Sequence, residues 1–204
     1  MIVVDVETTG LDYQRNAIVS IGALDFDNPE NQFYGECGVD SGTEIDPVAL
    51  KINGFRKEDL LNNRKGLKDL VIEFVGWSLS VSDRILGGYY THFDQSFLLE
   101  SVKKYRVGWP FSIHVVDIQG VFYTEMLKRG LLHNHTNQYT LDQILKFVGL
   151  PVEPMPHNAL TGAKVTAEAF SRLVLGKGLL GEFEKYPVKI DLFKFNKTRR
   201  LALQ

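Results

Sequence analysis

The opening residues Ile2-Val3-Val4-Asp5-Val6-Glu7 constrain the fold more than any other stretch of the chain. So dense an apolar run reads as a strand covered on both faces, which belongs inside a sheet with helices around it. Asp5 and Glu7 stand two residues apart, so their side chains leave the same face of that strand. Two carboxylates so placed repel each other unless a cation lies between them. Hard cations such as Mg²⁺ and Mn²⁺ take oxygen ligands of this kind. The plainer alternative is a strand end carrying two solvated acids.

The pattern downstream supports a sheet with helices around it. Strands are expected at residues 17–26 and 32–37, separated by the turn Asp27-Asn28-Pro29-Glu30-Asn31. Asp46-Pro47 places Pro at the first position of a helix. Short helices are expected at 47–53 and 57–61, and a longer one at 67–79. A strand at 84–90 leads to a helix at 94–105, in which Phe97, Leu98, Val102 and Tyr105 share a face. A strand at 113–116 leads to a helix at 118–129. Thr140-Leu141-Asp142-Gln143 has the form of a capping box, and the helix it opens stops near Gly149, before Pro151. The last core helix starts near Ala159 and is ended by Gly176 and Gly178. Strands first, then strands alternating with helices, predict an α/β domain with a mixed central sheet flanked by helices. The expected division is a domain over residues 1–176 and a tail over 177–204, either docked on it or partly disordered.

Charge does not decide the partner. The chain carries 23 basic and 25 acidic residues, for a formal net charge of -2. An enzyme that grips only a chain end needs a local basic patch and not a basic whole. The one cysteine, Cys37, excludes an intrachain disulfide and any multi-cysteine zinc site. No apolar run is long enough to span a membrane, and the first residues lack the basic lead-in of a signal peptide. A cytoplasmic location, with no membrane partner, is the expectation.

Three motifs carry a resemblance. Asp5-Val6-Glu7-Thr8-Thr9-Gly10 on a first strand is similar to the first motif of the DEDD exonuclease superfamily, which has the ribonuclease H-like fold. Gly88-Tyr89-Tyr90-Thr91-His92-Phe93-Asp94 resembles the second, an Asp preceded by Phe at a strand-to-helix junction. Tyr89-Tyr90 stands where members usually have His-Asn. By itself Asp94 would read as an ordinary helix N-cap. His157-Asn158-Ala159-Leu160-Thr161-Gly162-Ala163 resembles the third, which places the chain in the His-containing (DEDDh, DnaQ-like) branch, near the proofreading subunit of bacterial replicative polymerases and ribonuclease T-like enzymes. The resemblance runs from residue 1 to about 175.

What the resemblance implies is a metal-dependent 3′-to-5′ exonuclease that releases 5′-mononucleotides from nucleic-acid 3′ ends. Two Mg²⁺ or Mn²⁺ ions would bind Asp5, Glu7 and Asp94, with Asp5 bridging and Glu7 holding the water-activating ion. His157 would take the proton of the attacking water, a task suited to imidazole because it ordinarily titrates near neutral pH. Thr8, Thr9 and Gly10 would lie beside the terminal nucleotide, and Phe93 would pack near the site. The expected partners are single-stranded or 3′-end nucleic acid, with a DNA polymerase or self-association as further possibilities.

One departure matters. The family's fourth carboxylate falls on Gly162, which offers no side-chain oxygen. Glu168 lies about 9 Å along the helix and about 120° round it, so it should point elsewhere. Lys164 has the wrong sign, and Val165 and Thr166 offer at most a hydroxyl. Water remains as a substitute ligand. On this reading Gly162 weakens metal binding, and Gly162→Asp should raise metal affinity and turnover. The competing reading is a catalytically impaired module of the same fold that binds nucleic acid or a polymerase. A His-Asn-His nuclease motif at His133-Asn134-His135 is disfavoured, because no matching hairpin surrounds it.

Overall fold

The structure, a computed structural model, describes residues 1–131 and 139–188. His133-Asn134-His135 and the end of the tail lie outside the described residues. Among those described, five strands form one sheet: β1 (Ile2–Thr8), β2 (Ile18–Asp25), β3 (Gln32–Glu36), β4 (Leu86–Gly88) and β5 (Val115–Asp117), in the order β3-β2-β1-β4-β5. β1–β2 and β2–β3 are antiparallel, while β1–β4 and β4–β5 are parallel. The sheet is therefore mixed, with β1 at the centre. The helices are α1 (Pro47–Asn53), α2 (Lys57–Asn62), α3 (Leu67–Ser78), α4 (Thr91–Tyr105), α5 (Ile118–Arg129), α6 (Leu141–Val148) and α7 (Ala159–Phe170).

Alternation along β1 divides the interior. Ile2, Val4 and Val6 pack with Leu70, Phe74, Phe97 and Leu98 from α3 and α4. Val3 points the other way and packs with Ala163 and Ala167 of α7. Asp5 and Glu7 follow Val3 at spacing two, so the same alternation that buries β1 turns both acids toward the α7 face.

Helix α7 comes unusually close to the sheet. A methyl group built on Gly22 of β2 would overlap the backbone of Ala159 and Leu160. Only glycine permits this approach, and the small residues of α7 allow it from the other side. Gly22→Ala should push the start of α7 outward and destabilise the fold by about 2–3 kcal/mol, within the range of overpacked cores. A melting temperature lowered by about 5–10 °C checks this; an unchanged value would mean the helix has room to spare.

The expected elements are present, with shifts that have local causes. The strand expected at 84–90 is only Leu86–Gly88, because Tyr90 adopts a left-handed conformation (φ 54°, ψ 40°) and breaks the ladder. The strand expected at 113–116 is displaced to Val115–Asp117, where it pairs with β4. The capping box forms: Thr140 Oγ1 accepts from the Gln143 N–H at 3.3 Å, and Gln143 Oε1 accepts from the Thr140 N–H at 2.9 Å. Helix α7 widens into a π-type turn over Ser171–Leu175, and a short 3-10 turn follows at Gly181–Phe183.

The described part of the tail folds back on the domain. Leu180 and Phe183 are buried against α5 and α6. Glu168 Oε2 accepts from the Leu179 and Leu180 N–H groups at 2.8 and 2.9 Å. Arg172 donates to the Phe183 and Tyr186 carbonyls at 3.1 and 2.8 Å. Glu168 thus points away from the β1 acids, as its helical phase predicts. No described helix is long and apolar enough to cross a membrane.

Candidate active site

The parallel strands β1, β4 and β5 end on one edge of the sheet, where open α/β sheets commonly place ligands. A cleft of about 380 Å³ opens there. Asp5 and Glu7 enter it from β1, Asp94 from α4 and His157 from the loop before α7. Residues separated by more than 150 positions in the chain therefore meet in one place.

Asp94 does not open its helix, as the sequence suggested. The N-terminal flank is Tyr90, and Asp94 sits in the first turn of α4. β1 runs past the end of β4, and Asp94 Oδ1 accepts the Val6 N–H at 2.9 Å. The side chain is thereby held against the backbone between Asp5 and Glu7. The start of α4 is capped from the next strand instead, with Asp117 Oδ2 accepting the Thr91 N–H at 2.9 Å.

His157 is positioned by its main chain, whose N–H donates to the Ile52 carbonyl at 2.9 Å. Asn158 caps α7, accepting from the Leu160 and Thr161 N–H groups at 3.1 and 3.2 Å. Its amide donates to the Tyr34 hydroxyl at 3.0 Å. Asn53 at the end of α1 donates to the Thr8 carbonyl at 3.0 Å. Helix α1 therefore ties the end of β1 to the histidine loop.

Phe93 lines the cleft, and Tyr90 stacks on it with ring centroids 6.1 Å apart. Tyr90 is 61% exposed while holding its left-handed backbone. A bulky residue in that conformation carries strain of the kind that gathers at functional sites. Thr8 at the end of β1 and Thr9 and Gly10 just after it are buried and do not line the cleft. The Thr9 hydroxyl is committed to that turn: it donates to the Glu44 carbonyl at 2.7 Å and accepts the Ala17 N–H at 3.0 Å.

The acids are electrostatically crowded. Desolvation raises the Asp5 carboxyl well above its usual range, and the charges of Asp94, Glu7 and Glu153 raise it further. Asp94 is raised as well, chiefly by burial, although the Val6 N–H opposes the shift. Burial and Glu153 push Glu7 from its usual 4.5 to about 7. Carboxylates gathered at such expense suit a divalent cation, which would relieve both the desolvation and the mutual repulsion. Among the described residues no three His, Cys, Asp or Glu side chains stand in a ready-made metal-holding arrangement. The acids would have to draw together around an ion as it binds.

Glu153 was missed by sequence reasoning. It lines the same cleft from the loop between α6 and α7, and its Oε1 is buried without a hydrogen-bond partner. The one available signal was an acid four residues before His157, and that spacing has no meaning in a proline-rich loop.

Gly162 lies against β1 so closely that a Cβ there would overlap Asp5 Oδ2, at 2.9 Å from Asp5 Cγ and 3.2 Å from Glu153 Oε1. The expectation that Gly162→Asp alone improves the site loses its basis. The added carboxylate would displace Asp5 and stand beside Glu153.

A ribonuclease H-like fold with a carboxylate- and histidine-lined cleft at the strand ends defines a nuclease-type architecture. The chain belongs to the exonuclease family whose model, RNase_T, matches residues 2–170. It is 31% identical over 196 residues to the PolC-type DNA polymerase III of Thermotoga maritima, a match covering 93% of this chain and only 13% of that relative. It is 28% identical over 172 residues to the 3′-5′ DNA exonuclease Cap18 of Escherichia coli, covering 82% of this chain and 87% of that one. The nuclease domain of 3′hExo, a DEDDh family member solved with bound rAMP, superposes with a TM-score of 0.67 at 15% identity, covering 88% and 93% of the two chains.

Proposed function

We infer that this chain hydrolyses the 3′-terminal phosphodiester of a nucleic acid in the presence of Mg²⁺ or Mn²⁺, releasing 5′-mononucleotides. The observation that carries this reading is the meeting of Asp5, Glu7, Asp94 and His157 in one cleft. Asp5, Glu7 and Asp94 would hold the ions. When bound, a pair of divalent cations stabilises the attacking and leaving oxygens of a displacement at phosphorus. His157 takes the proton of the attacking water on an imidazole nitrogen. Tyr90 and Phe93 present aromatic faces on which a terminal base can stack, a mode that tolerates any base. The buried Val6 N–H bond keeps Asp94 from swinging away when substrate enters.

A second reading, a binding module that cleaves poorly, draws on Gly162. Similarity to a segment of PolC-type polymerases supports a polymerase as a further partner, under either reading. Incubation of 5′-labelled single-stranded DNA and RNA with Mn²⁺ separates them. The exonuclease reading expects ladders that shorten from the 3′ end and vanish in Asp5→Ala. Retention of labelled strands without shortening would favour the binding module.

A further inference from the structure

We propose that Glu153 supplies the fourth carboxylate of the metal centre, reaching from the loop between α6 and α7 into the place that residue 162 leaves open. The proposal rests on the nuclease reading above and names a ligand that the third motif does not contain.

Geometry comes first. The point where a Cβ of residue 162 would stand is 2.9 Å from Asp5 Cγ and 3.2 Å from Glu153 Oε1. A carboxylate oxygen of Glu153 therefore already lies beside the position from which an aspartate at 162 would project. It faces Asp5, the residue that an aspartate there would have joined in binding an ion.

Unsatisfied chemistry comes second. Glu153 Oε1 is buried, and among the described residues no donor reaches it. A buried carboxylate oxygen without a partner is costly, and proteins seldom keep one unless it serves a ligand. Its ordinary structural uses are already filled. Asn158 caps α7, and Arg172 is spent on Glu168. Lys164 of α7 pairs with Glu182 and Arg172 with Glu168, so neither is spent on Glu153. Burial raises its carboxyl above the usual range, with His157 opposing that shift and Asp142 adding to it.

The glycine and the glutamate also explain each other. Ala163 packs on Val3, and Gly22 lies against the start of α7, so the helix is seated too close to β1 for a side chain at 162. Glycine there permits the close seating and leaves space for a longer side chain from the neighbouring loop. An acid is thus exchanged between two positions while the number of carboxylates at the centre is kept.

The test is Mn²⁺ binding to the full chain, followed by titration calorimetry or by the EPR signal of free Mn²⁺, beside melting curves in EDTA. Glu153→Gln should weaken Mn²⁺ binding by about tenfold or more, since even residues behind metal ligands affect affinity on that scale. The same variant should melt no lower than the parent in EDTA, because it removes an unpartnered buried charge. Its rise in melting temperature on adding Mn²⁺ should shrink. Unchanged Mn²⁺ affinity in Glu153→Gln overturns the proposal, and it would point to Glu153 acting only on His157. If that occurs while Asp5→Asn still loses Mn²⁺ binding, the nuclease reading stands and only Glu153 fails. A parent chain that binds no Mn²⁺ would remove the reading on which the proposal rests.

Discussion

Asp5→Asn should abolish hydrolysis and, in the same protein, raise the melting temperature in EDTA. Both effects have one cause. Asp5 is held in the cleft against Asp94, Glu7 and Glu153, and its charge is disfavoured by desolvation and by all three neighbours. Removing the ionisable group relieves that desolvation and repulsion, an effect of about 1–3 kcal/mol, since one unit of pKa shift corresponds to about 1.4 kcal/mol. In a chain of this size that is about 3–8 °C. Hydrolysis loses the ligand shared by the whole centre. Metal-derived stabilisation of a transition state amounts to several kcal/mol, so the rate should fall about 10³-fold or more. Melting curves and an oligonucleotide assay on one preparation check both. A variant that is inactive and also less stable would show Asp5 to be a structural residue.

The same crowding fixes a pH dependence. Glu7 rises from its usual 4.5 to about 7 in the folded chain. An acid whose folded pKa is raised binds more protons folded than unfolded between those values, so its contribution favours folding below about 4.5 and is lost as pH rises through about 7. A shift of that size corresponds to about 3 kcal/mol. In EDTA, stability should therefore fall across this window, and Mn²⁺ added at pH 8 should restore it. The fall should be smaller in Glu7→Gln.

Arg172→Met should be among the most damaging changes remote from the cleft. Arg172 and Glu168 are 1% and 0% exposed and pair at 2.6 Å. Glu168 also accepts from two tail N–H groups, and Arg172 donates to two tail carbonyls, so the pair is the clasp between α7 and residues 177–186. Removing one member leaves the other charge buried and uncompensated, at about 3–5 kcal/mol. The melting temperature should drop by about 10 °C. Glu168→Gln added to Arg172→Met should recover much of the loss, because no buried charge is then left alone. Hydrolysis at low temperature should persist, since neither residue lines the cleft. If the single variant melts within 2–3 °C of the parent, the clasp contributes little.

Motif residues were legible in the sequence where local geometry alone placed them. Asp5 and Glu7 share a face because any strand has a period of two. His157 stands just before the helix expected to start near Ala159. Asp94 lines the cleft from the first turn of its helix and does not open it, since nothing in Gly88-Tyr89-Tyr90 announces that Tyr90 turns left-handed. The bonds that commit the Thr9 hydroxyl to Ala17 and Glu44 depend on a distant loop and have no local signal in Thr8-Thr9-Gly10. Glu153 was illegible for the same kind of reason. Its closeness to Asp5 arises from how residues 150–157 fold back between two helices, and no periodicity encodes that path. Gly162 was visible as a missing acid, yet its tight seat on β1 depends on Gly22, which is 140 residues away in the chain.

The most direct measurement is a crystal structure of the full chain soaked with Mn²⁺ and a mononucleotide, with the anomalous signal of manganese locating each ion. The account predicts manganese within about 2.0–2.6 Å of carboxylate oxygens of Asp5, Glu7 and Asp94, with the nucleotide base against Tyr90 and Phe93. Well-bound nucleotide accompanied by manganese elsewhere on the surface, or by none, would contradict it.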